Sequence, residues 1–188
     1  MLRTLVMALV VALAPGCAAV QPAMSQIKVD DGAQYQDWYT AVAKEGVLAA
    51  TRNSEGDLFG FVCDAFDGCK WVISVRRPCE EGFRVAALGS SGSGRVAHLT
   101  LECYDEANTK GYFRYRIVQE EDLVQLVDGA KTDLGIVVGS GRGEFLVMRF
   151  SMNGSQEALY GVKTLLEKYS KRQPQSPDSP KRPARQIL

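Results

Sequence analysis

The chain has 188 residues, 46% of them hydrophobic, which suffices for one domain whose core does not depend on disulfides to fold. Its 22 basic and 22 acidic residues cancel, and we expect no nucleic-acid partner. Beyond the N-terminus no apolar run is long enough to span a membrane, so we expect no transmembrane segment in the mature chain.

Residues 1–19 have the features of a secretory signal peptide. A basic residue precedes an uncharged apolar run over 5–13 and small residues follow, so we expect cleavage after Ala18 or Ala19. In a second interpretation, Cys17 becomes the acylated N-terminus of a lipoprotein. Either route predicts an exported protein, periplasmic or secreted, and the second adds a lipid anchor.

The rest of the chain predicts one β-rich domain over 37–170, with a different composition on each side of it. Residues 20–36 are polar and predict a linker, whereas 171–188 are basic and proline-rich and predict a disordered tail. The tail holds five of the 22 basic residues and one of the 22 acids, and Arg3 lies in the predicted signal peptide, which leaves 16 basic and 21 acidic residues in 20–170. The tail either keeps an acidic body soluble or attaches it to an anionic envelope surface.

Within the domain, hydrophobic residues mostly alternate, which is typical of strands. Helical spacing occurs twice, over 120–128 and over 155–171, where Ser155 is the expected cap. The fold class is therefore mainly β: an antiparallel sandwich or meander with two helices. The predicted strands are 46–52, 58–63, 69–76, 83–88, 95–103, 112–118, 134–138 and 144–150.

Four cysteines remain after the signal peptide, and an even number in an exported chain predicts two disulfides. Four cysteines allow three pairings. A hairpin that turns at Asp67-Gly68 places Cys63 opposite Cys69 and gives an apolar face in the same register. A second hairpin, turning within residues 89–94, places Cys79 opposite Cys103. We therefore predict the disulfides Cys63–Cys69 and Cys79–Cys103.

The cross-strand partners in these hairpins follow from the same registers. A third hairpin, turning near Asn108, continues the meander and keeps the apolar residues on one face. The predicted partners are Phe61–Trp71 and Phe59–Ile73 in the first hairpin, Phe83–Leu99 and Val85–Ala97 in the second, and Cys103–Phe113, Leu101–Tyr115, Leu99–Ile117 and Glu102–Arg114 in the third.

No cluster of residues with the spacing of a metal, cofactor or catalytic site is found. The cysteine spacings lack the C-x-x-C of zinc knuckles and redox pairs, and Asp64 and Asp67 lack the repeat of a calcium loop. The glycine-rich stretches 89–94 and 139–143 lack the Lys-Ser/Thr of a phosphate-binding loop and predict hairpin turns. We expect no metal, no cofactor and no catalytic residue.

One surface is a candidate for binding. The face of the meander opposite the core should carry Arg84, His98, Arg114 and Arg116, with His98 opposite Arg84 and diagonal to Arg116. This basic stripe is either a solvated face with acidic neighbours or a docking face for an anionic partner. His98 is the one histidine of the chain, so a hydrolase that uses a histidine would have to use it.

The last third of the chain resembles the invasion-associated locus B family. The resemblance rests on VDGAKTDLGIVV, the strand LVMRF, the stretch SMNGSQEAL that opens the final helix, and Trp38 near the start of the domain. Ser155 stands where the family usually has an aromatic residue, and the family's late, close-set cysteine pair has no counterpart. The resemblance implies a β-sandwich in the envelope of Gram-negative bacteria, with no known catalysis.

These observations favour a non-enzymatic envelope or secreted protein that binds a protein or an anionic envelope component. A host-interaction role associated with virulence follows from the resemblance. The alternative is a periplasmic immunity protein or a conjugative-transfer or exclusion protein. An envelope hydrolase that uses His98 is the remaining hypothesis.

Overall fold

The computed structural model describes residues 32–43, 46–64, 68–105, 111–139 and 143–172, which form ten strands and two helices. The predicted signal peptide, most of the predicted linker and nearly all of the predicted tail lie outside the described residues. The elements are β1 (Gln34–Tyr35), β2 (Trp38–Ala43), β3 (Gly46–Arg52), β4 (Leu58–Asp64), β5 (Gly68–Val75), β6 (Arg84–Ser91), β7 (Val96–Asp105), β8 (Phe113–Ile117), α1 (Glu120–Gly129), β9 (Asp133–Gly139), β10 (Phe145–Ser151) and α2 (Ser155–Arg172).

All ten strands belong to one antiparallel sheet, so the predicted mainly-β class with two helices is confirmed. The strand order is β1-β2-β3-β4-β5-β8-β7-β6-β9-β10. The first five strands form a meander. The next three then run back along the sheet, so that β5 pairs with β8 and not with β6. A single continuous meander is therefore wrong for the middle of the chain.

The sheet curls so that its two ends meet across the core. Phe59 of β4 and Phe150 of β10 lie 5.4 Å apart between ring centroids. The indole Nε1 of Trp38 donates to the carbonyl of Ser151 at 2.8 Å, and the hydroxyl of Ser151 donates to the carboxylate of Asp37 at 2.6 Å. These contacts join β2 to β10, so the concave face of the sheet becomes the core of the domain.

The two helices cover this concave face through apolar stripes. Leu123, Leu126 and Val127 of α1 are buried against β6 and β7. Helix α2 packs mainly on β2 and β3 through its own buried residues. Its Gly161 lies where a Cβ would meet the ring of Tyr35, so the small residue permits the close approach.

The first hairpin has the predicted register. Cys63 lies opposite Cys69, Phe61 opposite Trp71 and Phe59 opposite Ile73. The Cα atoms of the disulfide-bonded pair Cys63–Cys69 are 3.9 Å apart. Phe59, Cys63, Trp71 and Ile73 are buried, as expected for residues on the core face of a two-sided sheet.

The second and third hairpins have registers that differ from the predicted ones. Val85 lies opposite Leu101 and not Ala97, and Leu101 lies opposite Ile117 and not Tyr115. The partner of Val85 is displaced by four residues and the partner of Leu101 by two. Because both displacements are even, every side chain keeps its predicted face. The other predicted pairs in these hairpins, including Glu102–Arg114, are wrong for the same reason.

The position of the turn explains the error in the second hairpin. Strand β6 continues to Ser91, and the chain turns at residues 92–94, where Gly94 has a φ of +84°. The sequence interpretation had placed the turn two residues earlier. In the third hairpin, an irregularity between Cys103 and Asp105 shifts the register of β7 against β8.

The disulfide Cys79–Cys103 is present as predicted, with Cα atoms 6.1 Å apart. Cys79 does not lie opposite Cys103 in a ladder, however. The N–H of Cys103 donates to the carbonyl of Phe83 at 2.9 Å, and Cys79 lies in the segment between β5 and β6. The bridge therefore fastens a connecting segment to the core face of β7.

Strands β1 and β2 were not predicted from the sequence. In β2, Trp38 and Thr40 face the core, and Ala41 on the other face is also buried, so hydrophobicity does not alternate along it. Among the described residues, neither helix is both long and apolar enough to cross a bilayer.

Candidate functional site: a basic outer face and a groove beside α1

Two arginines share one glutamate on the convex face of the sheet. Glu102 of β7 lies directly between Arg84 of β6 and Arg116 of β8 in the ladder. Arg84 Nε donates to Glu102 Oε2 at 2.6 Å, and an Arg116 amino group donates to Glu102 Oε1 at 2.5 Å. Each carboxylate oxygen thus receives a charge-assisted hydrogen bond.

This arrangement leaves positive charge at the surface. The side chain of Glu102 is 11% exposed, whereas those of Arg84 and Arg116 are 62% and 47% exposed. Two cations and one anion sum to a single net positive charge, and the exposed atoms belong mostly to the cations. An anionic ligand would therefore meet guanidinium groups that are already held in place.

The arginines also change the acidity of the carboxyl group between them. The hydrogen bond from Arg84 is the largest cause that lowers the pKa of Glu102, and the hydrogen bond and charge of Arg116 act in the same direction. Partial burial opposes them, but the pKa still falls below its ordinary value. Glu102 is therefore ionised at every pH at which an unperturbed glutamate would be ionised.

A second group of cations lies beside the first on the same face. Arg114 of β8 and Lys70 of β5 both lie over the ring of Tyr104, at 5.5 Å and 5.0 Å from its centroid. Lys70 also pairs with Asp64 at 3.2 Å. We use the name outer basic face for Arg84, Arg114, Arg116, Lys70 and the residues between them, Glu102 and Tyr104.

The convex face of β3 and β4 beside the outer basic face is mostly apolar. Leu48, Leu58 and Val62 are half-buried there and lie on neighbouring strands. Nearby, burial raises the pKa of Tyr39 above its ordinary value, and the charge of Arg52 offsets part of that rise. A partner on this side would thus contact cations and half-exposed apolar side chains together.

His98 occupies a different place from the predicted one. It points to the convex face, as predicted, but it lies opposite Leu88 and not opposite Arg84. Glu102 holds the position opposite Arg84, and Thr100 lies between Glu102 and His98 along β7. The three arginines of the predicted binding face therefore form one group, and His98 stands apart from it.

His98 instead lines a groove at the start of β7. The groove has a volume of about 450 Å³ and lies between residues 95–98, where β7 begins, and the first turns of α1. Asp122, Gln125 and Leu126 form the helical side. Among the described residues, no group of three or more His, Cys, Asp or Glu side chains could hold a metal ion.

The sequence interpretation missed the central position of Glu102. It pairs Glu102 with Arg114 alone, and the position of Glu102 between Arg84 and Arg116 becomes visible only with the correct registers. The groove depends on where β8 ends relative to β7, and no short-range pattern reports that. Lys70 was also missed, although its alternation with Trp71 places it on the convex face.

No family model matches the chain, and no curated protein matches it. The structure is similar to the crystal structure of invasion associated protein B from Bartonella henselae. The match covers 72% of this chain and 98% of that chain, with a TM-score of 0.51 and 14% sequence identity. At that identity the likeness is one of fold alone, and it does not show membership of a sequence family.

Proposed function

We propose that this chain is a non-enzymatic protein of the bacterial envelope or the medium that binds an acidic protein partner through the outer basic face. The observation that carries the proposal is the Arg84–Glu102–Arg116 group. Its two exposed guanidiniums are held by one shielded carboxylate, so they present fixed donors to a second anion. Pre-positioned donors lower the entropic cost of binding.

A protein partner fits this face better than a lipid surface. The cations lie on a sheet, next to the half-buried Leu48, Leu58 and Val62 of β3 and β4. Protein interfaces combine arginine with apolar contacts in this way. Two disulfides agree with a chain that matures outside the cytoplasm, where such a partner would be met.

The name of the structural neighbour supports a host-interaction version of this proposal. That protein is described as invasion associated. By analogy of fold, the partner of this chain would be a protein of a host cell surface. Function depends on sites more than on folds, so the proposal rests first on the outer basic face.

Photo-cross-linking tests the proposal directly. A photoreactive residue replaces Ala86, which is exposed on the convex face beside Arg84, and intact cells are irradiated with and without host cells. We expect a cross-linked acidic protein that is lost in the double variant Arg84→Gln/Arg116→Gln. The matched control is Arg149→Gln/Lys163→Gln, which removes two charges from exposed positions elsewhere and should keep the cross-link.

Two results would contradict the proposal. The first is a cross-link that survives in the Arg84→Gln/Arg116→Gln variant, because the outer basic face would then be dispensable. The second is a catalytic activity that depends on His98. Hydrolysis of envelope substrates by the purified wild type, lost in His98→Ala, would replace the binding role with an enzymatic one.

A further inference from the structure

One edge of β7 is partly free, and the hydrogen bonds that β7 makes to β6 show which main-chain groups face that edge. The N–H of Cys103 donates to the carbonyl of Phe83, and the N–H of Ser91 donates to the carbonyl of Arg95, each at 2.9 Å. Odd-numbered residues of β7 therefore bond to β6. The N–H and C=O groups of the even-numbered residues point to the opposite edge, where β8 lies.

Strand β8 covers only part of that edge. It ends at Ile117, and the next residues complete the pairing of Thr100. The N–H of Val118 donates to the carbonyl of Thr100 at 2.9 Å, and the side chain of Gln119 accepts from the N–H of Thr100 at 2.6 Å. Gln119 thus occupies the place that another strand residue would take, and the chain then enters α1.

Beyond this point the edge of β7 continues without a neighbouring strand in the described part of the chain. Val96 and His98 have the same parity as Thr100, so their main-chain groups face the same side. That side is the groove of about 450 Å³ whose other wall is α1. An unpaired strand edge and a helix therefore face each other across a space open to solvent.

We propose that this groove binds an extended segment of another protein, which adds to the sheet as a short strand beside Val96 and His98. A polypeptide backbone supplies alternating donors and acceptors at strand spacing, which is what this edge requires. The side chains favour a segment of mixed charge, because Arg95 and Asp122 line the groove with opposite charges. This site is separate from the outer basic face.

The decisive variants either remove an N–H from the free edge of β7 or fill the groove, and both leave the β6–β7 ladder intact. In Val96→Pro, the lost N–H is one that points away from β6, so the bonds between β6 and β7 remain. Val96→Thr keeps the N–H and the branched shape and is its matched control. Gln125→Trp fills the groove from the exposed face of α1, and Val124→Trp places the same side chain one position away, outside the residues that line the groove.

The probe is a phage-displayed library of random linear peptides, selected on the full chain and followed by binding measurements with the enriched peptides. We expect Val96→Pro and Gln125→Trp to weaken binding at least about tenfold, the effect of losing a main-chain hydrogen bond and the packing beside it. Val96→Thr, Val124→Trp and Arg84→Gln/Arg116→Gln should bind as the wild type does. N-methylation of every second peptide residue should abolish binding when the methylated groups are those that face β7. It should leave binding unchanged when they face away from β7.

Three outcomes would overturn the inference. One is the absence of any enriched peptide, and another is full binding of enriched peptides to Gln125→Trp. The third is self-association of the chain that Val96→Pro abolishes, because the edge would then belong to a second copy. Circular dichroism and thermal unfolding of each variant show whether a loss of binding reflects a loss of fold. The unchanged binding expected for Arg84→Gln/Arg116→Gln separates this site from the one proposed above.

Discussion

Arg84 Nε and Glu102 Oε2 lie 2.6 Å apart across the β6–β7 ladder, although 18 positions separate the two residues in the chain. The contact needs the turn between the strands to fall at residues 92–94. A turn two residues earlier would place Arg84 opposite His98 and leave Glu102 to other partners. The register of one hairpin thus determines whether the outer basic face contains an isolated arginine or a guanidinium held by a carboxylate.

The pH dependence of stability should report this contact. The pKa of Glu102 is lowered in the folded chain, first by the hydrogen bond from Arg84. Its contribution is therefore complete above the ordinary value of 4.5 and is lost as the pH falls through the lower, folded value. In Glu102→Gln, urea unfolding followed as a function of pH should show a smaller loss of stability on the acid side.

The control for this measurement is the exposed Glu81→Gln, which removes one carboxyl group from the loop before β6. In this control, the free energy of unfolding should fall with decreasing pH about as steeply as it does in the wild type. Equal slopes for the wild type and Glu102→Gln would mean that the arginines do not stabilise the ionised carboxylate.

The two disulfides should contribute unequally to stability. Loop-closure entropy predicts about 3 kcal/mol for Cys79–Cys103, whose cysteines are 24 positions apart, and about 2 kcal/mol for Cys63–Cys69, which are six apart. We expect the double alanine variant of Cys79 and Cys103 to have the lower free energy of unfolding in urea. Cys63 and Cys103 are both fully buried, so each variant loses one comparable buried side chain. A larger loss in the Cys63/Cys69 variant would contradict the entropic explanation.

Much of the architecture could be predicted because it is encoded at short range. The alternation of apolar residues on either side of Asp67-Gly68 specifies the Cys63–Cys69 hairpin, and the apolar stripes specify α1 and α2. The pairing of β5 with β8 could not be predicted, since both β6 and β8 offer β5 a core face without charged residues. Which one pairs depends on the curl of the whole sheet.

The candidate sites were less predictable than the fold, because the contacts within them depend on long-range pairing and register. Alternation placed Arg84, His98, Arg114 and Arg116 correctly on the convex face, because errors of an even number of residues leave faces unchanged. Their neighbours depend on the register itself, which the serine-rich and glycine-rich turn leaves open. His98 was therefore assigned to a group from which the structure separates it.

The indole of Trp38 should be important for holding the two ends of the sheet together. Its Nε1 donates to the carbonyl of Ser151 at 2.8 Å, and the side chain is fully buried. Trp38→Phe removes the donor and leaves that carbonyl without its partner, at a cost of about 1–3 kcal/mol plus the loss of packing. Urea unfolding measures the loss. Trp71→Phe, which removes another largely buried indole, is the comparison, and we expect Trp38→Phe to be the more destabilising of the two.

Gly89 should be essential to the packing of α1 on the sheet. A Cβ at this position would lie 2.5 Å from Cδ1 of Leu126 and 2.9 Å from Cδ1 of Leu99, two side chains that are themselves buried. Gly89→Ala should therefore displace α1 or distort β6, at a cost of about 1–3 kcal/mol in the free energy of unfolding. The displacement should also change the volume of the groove beside β7, because Leu126 lines it.

Gly139→Ala is the matched control for this substitution. Gly139 also lies in a strand, it has no atom within 4 Å of the Cβ position, and its φ is not positive. It should be neutral or slightly stabilising, because alanine loses less backbone entropy on folding than glycine does. If urea unfolding gives the two variants the same stability, then the side chains of Leu126 and Leu99 can move aside, and a glycine at position 89 is not required for the packing of α1 on β6.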